Sequence, residues 1–284
     1  MIYKYSFNTL IMRRFKLLIP VLILFTFAFS KNQVDTLSVF SQKMKKEIKT
    51  VVILPENYSL KKRYPVVYLL HGYSDNYATW IKNVPAIKTL STEHQFIVVC
   101  PDGGYSSWYF DSPIDSVFQY ESYITRDLLT YVDTHYSTIP DRTARAITGI
   151  SMGGHGALYL AMRNPKLFGS AGSMSGGVDL RASTKLFDIS KRIGTIESNH
   201  AEWDNRSVIN MVNDLKNKEL NLIIDCGVDD FYYLINAGLH RRLMSLKIDH
   251  DYIERPGEHN WQYWDNSIRY QFLYFDRCFQ KGKK

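Results

Sequence analysis

The chain has 284 residues, 45% of them hydrophobic and 14% aromatic, which suffices to bury the core of one large domain. Its formal charge of +7 falls to +3 once Lys4, Arg13, Arg14 and Lys16 are set aside, because no acid lies among the first thirty residues. No concentrated basic stripe remains, which excludes nucleic acid as a partner.

Along the chain, Arg13, Arg14 and Lys16 precede an apolar run from Leu17 to Phe29 that ends in the small residue Ser30. A basic flank, a short apolar run and a small residue are the layout of a signal peptide. The run is short of the roughly 20 residues a bilayer span needs. Residues 1–30 are therefore expected to be a cleaved leader, with the mature chain starting near Lys31, exported to a periplasmic or extracellular compartment and holding no stable membrane anchor. The end Lys281-Gly282-Lys283-Lys284 reads as a solvated tail.

Short apolar runs then alternate with helical patterns. Strands are expected at Lys49–Leu54, Val66–Leu70, Phe96–Cys100, Arg145–Thr148, Ser170–Ser173, Asn221–Cys226 and Asp251–Glu254. Helices are expected at Tyr120–Tyr136, Met152–Met162, Leu234–Leu246 and Trp261–Phe279. This alternation predicts an α/β fold with a mainly parallel sheet covered by helices on both faces. Residues 31–284 then form a single catalytic domain, and the polar, weakly periodic segment 178–217 reads as a lid-like insertion. Cys100, Cys226 and Cys278 are odd in number and lack metal-ligand spacing, so buried free thiols are expected and no metal site.

Gly149-Ile150-Ser151-Met152-Gly153 follows one of these strands and opens a helix. A serine hydroxyl becomes a nucleophile when a base takes its proton and when it projects from the backbone, as on a sharp strand-to-helix elbow. That places the chain in the α/β-hydrolase fold, with Ser151 as nucleophile. An acid and a histidine should follow in that order. The run Leu220–Cys226 ends in Gly227-Val228-Asp229-Asp230, where two aspartates compete. His259 lies in the Pro/Gly loop Glu254-Arg255-Pro256-Gly257-Glu258-His259-Asn260-Trp261 and is the expected general base. Backbone amides of Met152, at the helix start, and of Tyr73, in the loop Leu70-His71-Gly72-Tyr73, are the expected oxyanion donors. The remaining histidines, including His71 and His155, have no comparable setting. This chemistry calls for no cofactor.

From about Val52 to Phe279 the chain resembles the esterase D and tributyrin-esterase-like family of α/β-hydrolases. Its wider relatives are acetylxylan and feruloyl esterases, S-formylglutathione hydrolases and mycolyltransferases. The resemblance rests on Leu69–Asn76 (LLHGYSDN), Pro101–Pro113 (PDGGYSSWYFDSP), Tyr120–Ile124 (YESYI), Thr148–Leu158 (TGISMGGHGAL) and Pro256–Trp264 (PGEHNWQYW). It implies that Asp230, the third residue after the glycine ending the strand, is the acid, and that Tyr73 and Met152 are the donors. It further implies that Trp108, Tyr109 and Asp111 belong to a loop beside the pocket and that Glu121 fixes local conformation.

The partner is then a small-molecule or polysaccharide-linked ester, and the activity that of a serine esterase on short-acyl, acetyl or hydroxycinnamoyl groups. Acyl transfer and a non-catalytic binding module are the rival readings. Trp80, Trp108, Trp203, Trp261 and Trp264 are expected mainly in packing, with a stacking wall as the alternative. No pattern in the chain encodes an oligomeric state.

Overall fold

The computed structural model describes Met1 and residues 33–281, so the expected leader and the last three tail residues lie outside the described residues. Residues 33–281 build one eight-stranded sheet. Its strands are β1 Val34–Ser41, β2 Lys46–Ile53, β3 Val66–Leu70, β4 Ile97–Pro101, β5 Arg145–Gly149, β6 Ser170–Met174, β7 Asn221–Gly227 and β8 Asp251–Arg255. Their spatial order is β1-β2-β4-β3-β5-β6-β7-β8. β1 pairs with β2, and β2 with β4, in antiparallel fashion, while every other pairing is parallel. All seven expected strands are present, each within three residues of the expected ends. β1 was not expected.

Helices α1 Thr79–Asn83, α2 Ile87–His94, α3 Tyr120–Ser122, α4 Leu129–His135, α5 Met152–Arg163, α6 Ile189–Ile193, α7 His200–Arg206, α8 Val208–Met211 and α9 Tyr233–Ser245 lie between strands, and α10 Trp261–Lys281 follows β8. The helix expected over Tyr120–Tyr136 is broken, because a π-helical stretch at Tyr123–Leu128 separates α3 from α4. The segment 178–217 carries a 3₁₀ turn at Leu180–Ser183 and the short helices α6, α7 and α8.

The period-2 pleat of the central strands sends alternate side chains to opposite faces. Val66, Tyr68 and Leu70 of β3 join one apolar layer, with Leu158 and Leu160 of α5 and Leu239 and Leu243 of α9. Val67 and Leu69 join the other, with Trp80, Ile87 and Leu90 and with Ile268, Phe272 and Phe275 of α10. Burial on both faces explains the continuous apolar runs. Cys100 and Cys226 are buried and unpaired, as expected, and Cys278 is a partly buried free thiol. Among the described residues no helix is long and apolar enough to cross a membrane.

The strand order reverses around β3: β4 lies on one side of it and β5 on the other. Crevices of open α/β sheets form at such a reversal, beyond the carboxyl ends of the strands. Here the reversal juxtaposes the loops that follow Leu70 and Gly149, whose residues are register partners.

Candidate active site

Ser151 stands between β5 and α5 with φ 53° and ψ −115°, a conformation a non-glycine residue adopts only when its surroundings impose it. Its amide donates to the Met174 carbonyl at 2.9 Å, and its own carbonyl accepts from His155 N–H at 3.0 Å. The elbow is tight enough to require glycine on both sides. A Cβ at Gly149 would lie 2.6 Å from the Leu70 carbonyl oxygen, and one at Gly153 would lie 2.5 Å from that of His71.

The structure brings Ser151, His259 and Asp230 together. His259 Nε2 is 2.9 Å from Ser151 Oγ, and His259 Nδ1 is 2.8 and 3.0 Å from the two Asp230 carboxylate oxygens. The Asp230 side chain is fully shielded from solvent. The Tyr232 amide donates to its Oδ1 at 2.7 Å, which fixes the carboxylate before the histidine reaches it. Asp229, the competing acid, is exposed, and among the described residues its side chain meets only the Gly257 amide, at 3.3 Å. The two loops are laced by the Val228 amide donating to Arg255 O at 3.0 Å and the Asp229 amide donating to Gly257 O at 3.1 Å.

Tyr73 and Met152 each stand three residues beyond the register pair Leu70 and Gly149, so both follow adjacent strand ends into the same crevice. Among the described residues neither backbone amide donates to a protein acceptor. Met152 N–H also opens the twelve-residue helix α5, whose dipole favours negative charge at that end. His71 supports this loop from behind. Its Nδ1 donates to Gly72 O at 2.8 Å and its Nε2 accepts the Gly103 N–H at 2.7 Å, while burial pushes its pKa down and keeps it neutral.

Trp108 lies against α5: its amide is 3.3 Å from Met152 Sδ, and its indole N–H donates to Phe187 O at 3.0 Å. Tyr109 OH donates to His71 O at 3.1 Å. Asp111 accepts from Ser122 N–H and Oγ–H at 2.8 and 2.6 Å and from Lys43 at 2.7 Å. Glu121 accepts from Tyr159 OH at 3.0 Å and from Arg163 Nε at 2.9 Å, which ties α3 to the far end of α5. Trp80 and Trp203 are buried in packing, whereas Trp264 sets its ring edge-on to His259 at 4.9 Å.

Three features around the histidine were not expected from the sequence. Asp225, buried beneath the site, accepts from Tyr263 OH at 2.6 Å, Arg255 Nη2 at 2.9 Å and Ser267 Oγ at 3.0 Å, and burial raises its pKa despite those donors. Tyr232 OH shares a hydrogen bond of 2.9 Å with Ser183 Oγ, which joins the acid loop to the 178–217 segment. Phe231 lays its ring 4.2 Å from that of His259. An aromatic residue directly after the Asp229-Asp230 pair was the available signal for Phe231. Asp225, inside an apolar strand, offered the same kind of signal as a polar break. Among the described residues no group of three or more His, Cys, Asp or Glu side chains is disposed to hold a metal ion.

A strained serine elbow at a helix N-terminus, followed by an acid and a histidine on the ends of two later strands, defines an α/β-hydrolase. Residues 41–275 match the model of the "Putative esterase" family, and the chain belongs to that esterase family. It is 29% identical over 236 residues to an esterase of Mycobacterium tuberculosis, an alignment covering 73% of this chain and 51% of that protein. The chain thus spans about half the length of that relative. It is 24% identical over 261 residues to an acetyl esterase of Caldicellulosiruptor saccharolyticus, covering 85% of this chain and 97% of the other. A solved ferulic acid esterase superposes with a TM-score of 0.74 at 25% identity, over 86% of this chain and 98% of that one. A fluorophosphonate-binding serine hydrolase of Staphylococcus aureus shares the fold with a TM-score of 0.76 at 24% identity, over 86% and 98% of the respective chains.

Proposed function

We propose that the protein is an exported serine carboxylesterase that cleaves short-acyl, acetyl or hydroxycinnamoyl esters through an acyl-enzyme on Ser151. The observation that carries this reading is the unbroken hydrogen-bonded line from Asp230 through His259 to Ser151 Oγ. His259 Nε2 takes the Ser151 proton as Oγ attacks the ester carbonyl, and Asp230 holds the Nδ1–H tautomer and stabilises the imidazolium that forms. The tetrahedral oxyanion is received by the amides of Tyr73 and Met152. Nε2–H then protonates the departing alcohol. Deacylation repeats the cycle, with water activated by His259 as the attacking group and the carboxylic acid as the product.

Export is supported by the leader-like arrangement of residues 1–30. The acyl range is supported by the acetyl esterase and ferulic acid esterase among the similar proteins. Initial rates on p-nitrophenyl esters from acetate to long chains, with methyl ferulate and acetylated xylan alongside, test the reading. Serine-dependent turnover concentrated on the short or feruloyl substrates is expected. A preference for long chains would overturn the acyl assignment.

A further inference from the structure

Aromatic rings line one side of the reacting groups. Phe231 is 61% exposed although its ring lies 4.2 Å from that of His259 and 4.5 Å from that of Tyr232. Facing it, Phe187 sits in a nearly parallel orientation, 18° between planes and 6.3 Å between centroids. Phe187 in turn packs edge-on against Tyr73 at 5.3 Å.

Phe187 is held there at a conformational cost. Both it and Asp188 adopt left-handed backbone conformations, with φ 56° and 54°. Two side-chain contacts fasten the turn: the Trp108 indole on the Phe187 carbonyl at 3.0 Å, and Lys191 on the Asp188 carboxylate at 2.9 Å. These contacts hold the backbone turn that carries Phe187 toward Phe231. What sets Phe231 apart from the other exposed apolar residues is its place in a cluster with Phe187, Tyr232 and Tyr73 around the His259 ring.

We infer that Phe187 and Phe231 form a ring-binding subsite on the leaving-group side of the ester, selecting substrates whose departing alcohol carries a flat aromatic ring. The inference rests on the serine-esterase reading above. The side is assigned by proton transfer. The oxygen of the departing alcohol must lie within hydrogen-bond reach of His259 Nε2, the carbonyl oxygen must face the Tyr73 and Met152 amides, and Phe231 is packed on the histidine. A ring attached to that oxygen is held beside His259, and Phe231 lies 4.2 Å from the His259 ring. The facing phenyl rings offer it offset stacking or edge contact.

Rates for ethyl acetate, benzyl acetate and ethyl 3-phenylpropanoate, measured with wild type, Phe231→Ala, Phe187→Ala and Phe231→Trp, test the subsite. The first two esters share an acyl group and differ in the alcohol, and the third moves the ring to the acyl side. Expected is a fall in kcat/KM for benzyl acetate about tenfold larger than for ethyl acetate in both alanine variants, with Phe231→Trp restoring the preference. Equal losses on all three esters, or a loss confined to ethyl 3-phenylpropanoate, would overturn it. Fluorophosphonate labelling of Ser151 in the same preparations separates the two levels: labelling with no ring selectivity refutes the subsite, and failure to label refutes the esterase reading beneath it.

Discussion

The Asp230 carboxylate meets His259 Nδ1 through both of its oxygens, at 2.8 and 3.0 Å, while its neighbour Asp229 accepts from the Gly257 amide at 3.3 Å. Removing the acceptor charge at Asp230 leaves the imidazole free to adopt the wrong tautomer. Asp230→Asn is therefore expected to lower kcat by about a thousandfold or more, and Asp229→Asn by less than about threefold. Steady-state kinetics on p-nitrophenyl acetate decide between the two acids.

The close approach of α5 to the loop after β3 has its own signature. Gly153→Ala places a methyl group against the His71 carbonyl, a backbone atom that cannot move aside without displacing the loop bearing Tyr73. A loss of about 2–3 kcal/mol in unfolding free energy is expected, accompanied by loss of activity. Urea denaturation read by circular dichroism provides the first number.

His155 gives a pH dependence of known sign. It is fully buried, donates from Nε2 to Arg206 O at 2.8 Å, and burial pushes its pKa down to about 4 from an ordinary 6.5. A depressed histidine pKa stabilises the fold above pH 6.5 and loses that contribution as pH falls toward 4, because the unfolded chain takes the proton first. The stability difference between wild type and His155→Gln should thus shrink by about 3 kcal/mol between pH 7 and pH 4. A difference independent of pH would contradict the assignment.

Arg255 is a partner of the buried Asp225 carboxylate and sits in the strand that leads to His259. Arg255→Met leaves that carboxylate short of a cation in an apolar surrounding. A loss of about 3 kcal/mol is expected, visible as a lowered thermal midpoint.

The proposed leader at residues 1–30 is open to a direct test. Protein recovered from the medium or periplasm should begin near Lys31 on N-terminal sequencing, whereas recovery of the chain beginning at Met1 would contradict cleavage.

Much of this architecture was legible because the chemistry is local. Gly149, Ser151 and Gly153 encode the elbow by sterics alone, and strands buried on both faces announce themselves as apolar runs. β1 was not legible because it is an edge strand: Val34–Ser41 mixes polar and apolar residues and stays half-exposed. The π-helical stretch at Tyr123–Leu128 shares the apolar spacing of an ordinary helix, so periodicity could not separate them. The choice between Asp229 and Asp230 stayed open on local pattern, because it depends on how the loop after β7 turns. Phe187 and Phe231 are forty-four positions apart in the chain, and only the tertiary fold brings their rings to 6.3 Å in a near-parallel orientation.

The most direct test of the central claim is active-site titration with a fluorophosphonate probe, followed by peptide mapping and assay of the labelled protein beside Ser151→Ala. The account predicts one label per chain, located on Ser151, with ester hydrolysis falling in proportion to labelling and absent from the folded variant. Hydrolysis that survives full labelling, or that persists in Ser151→Ala, would contradict it.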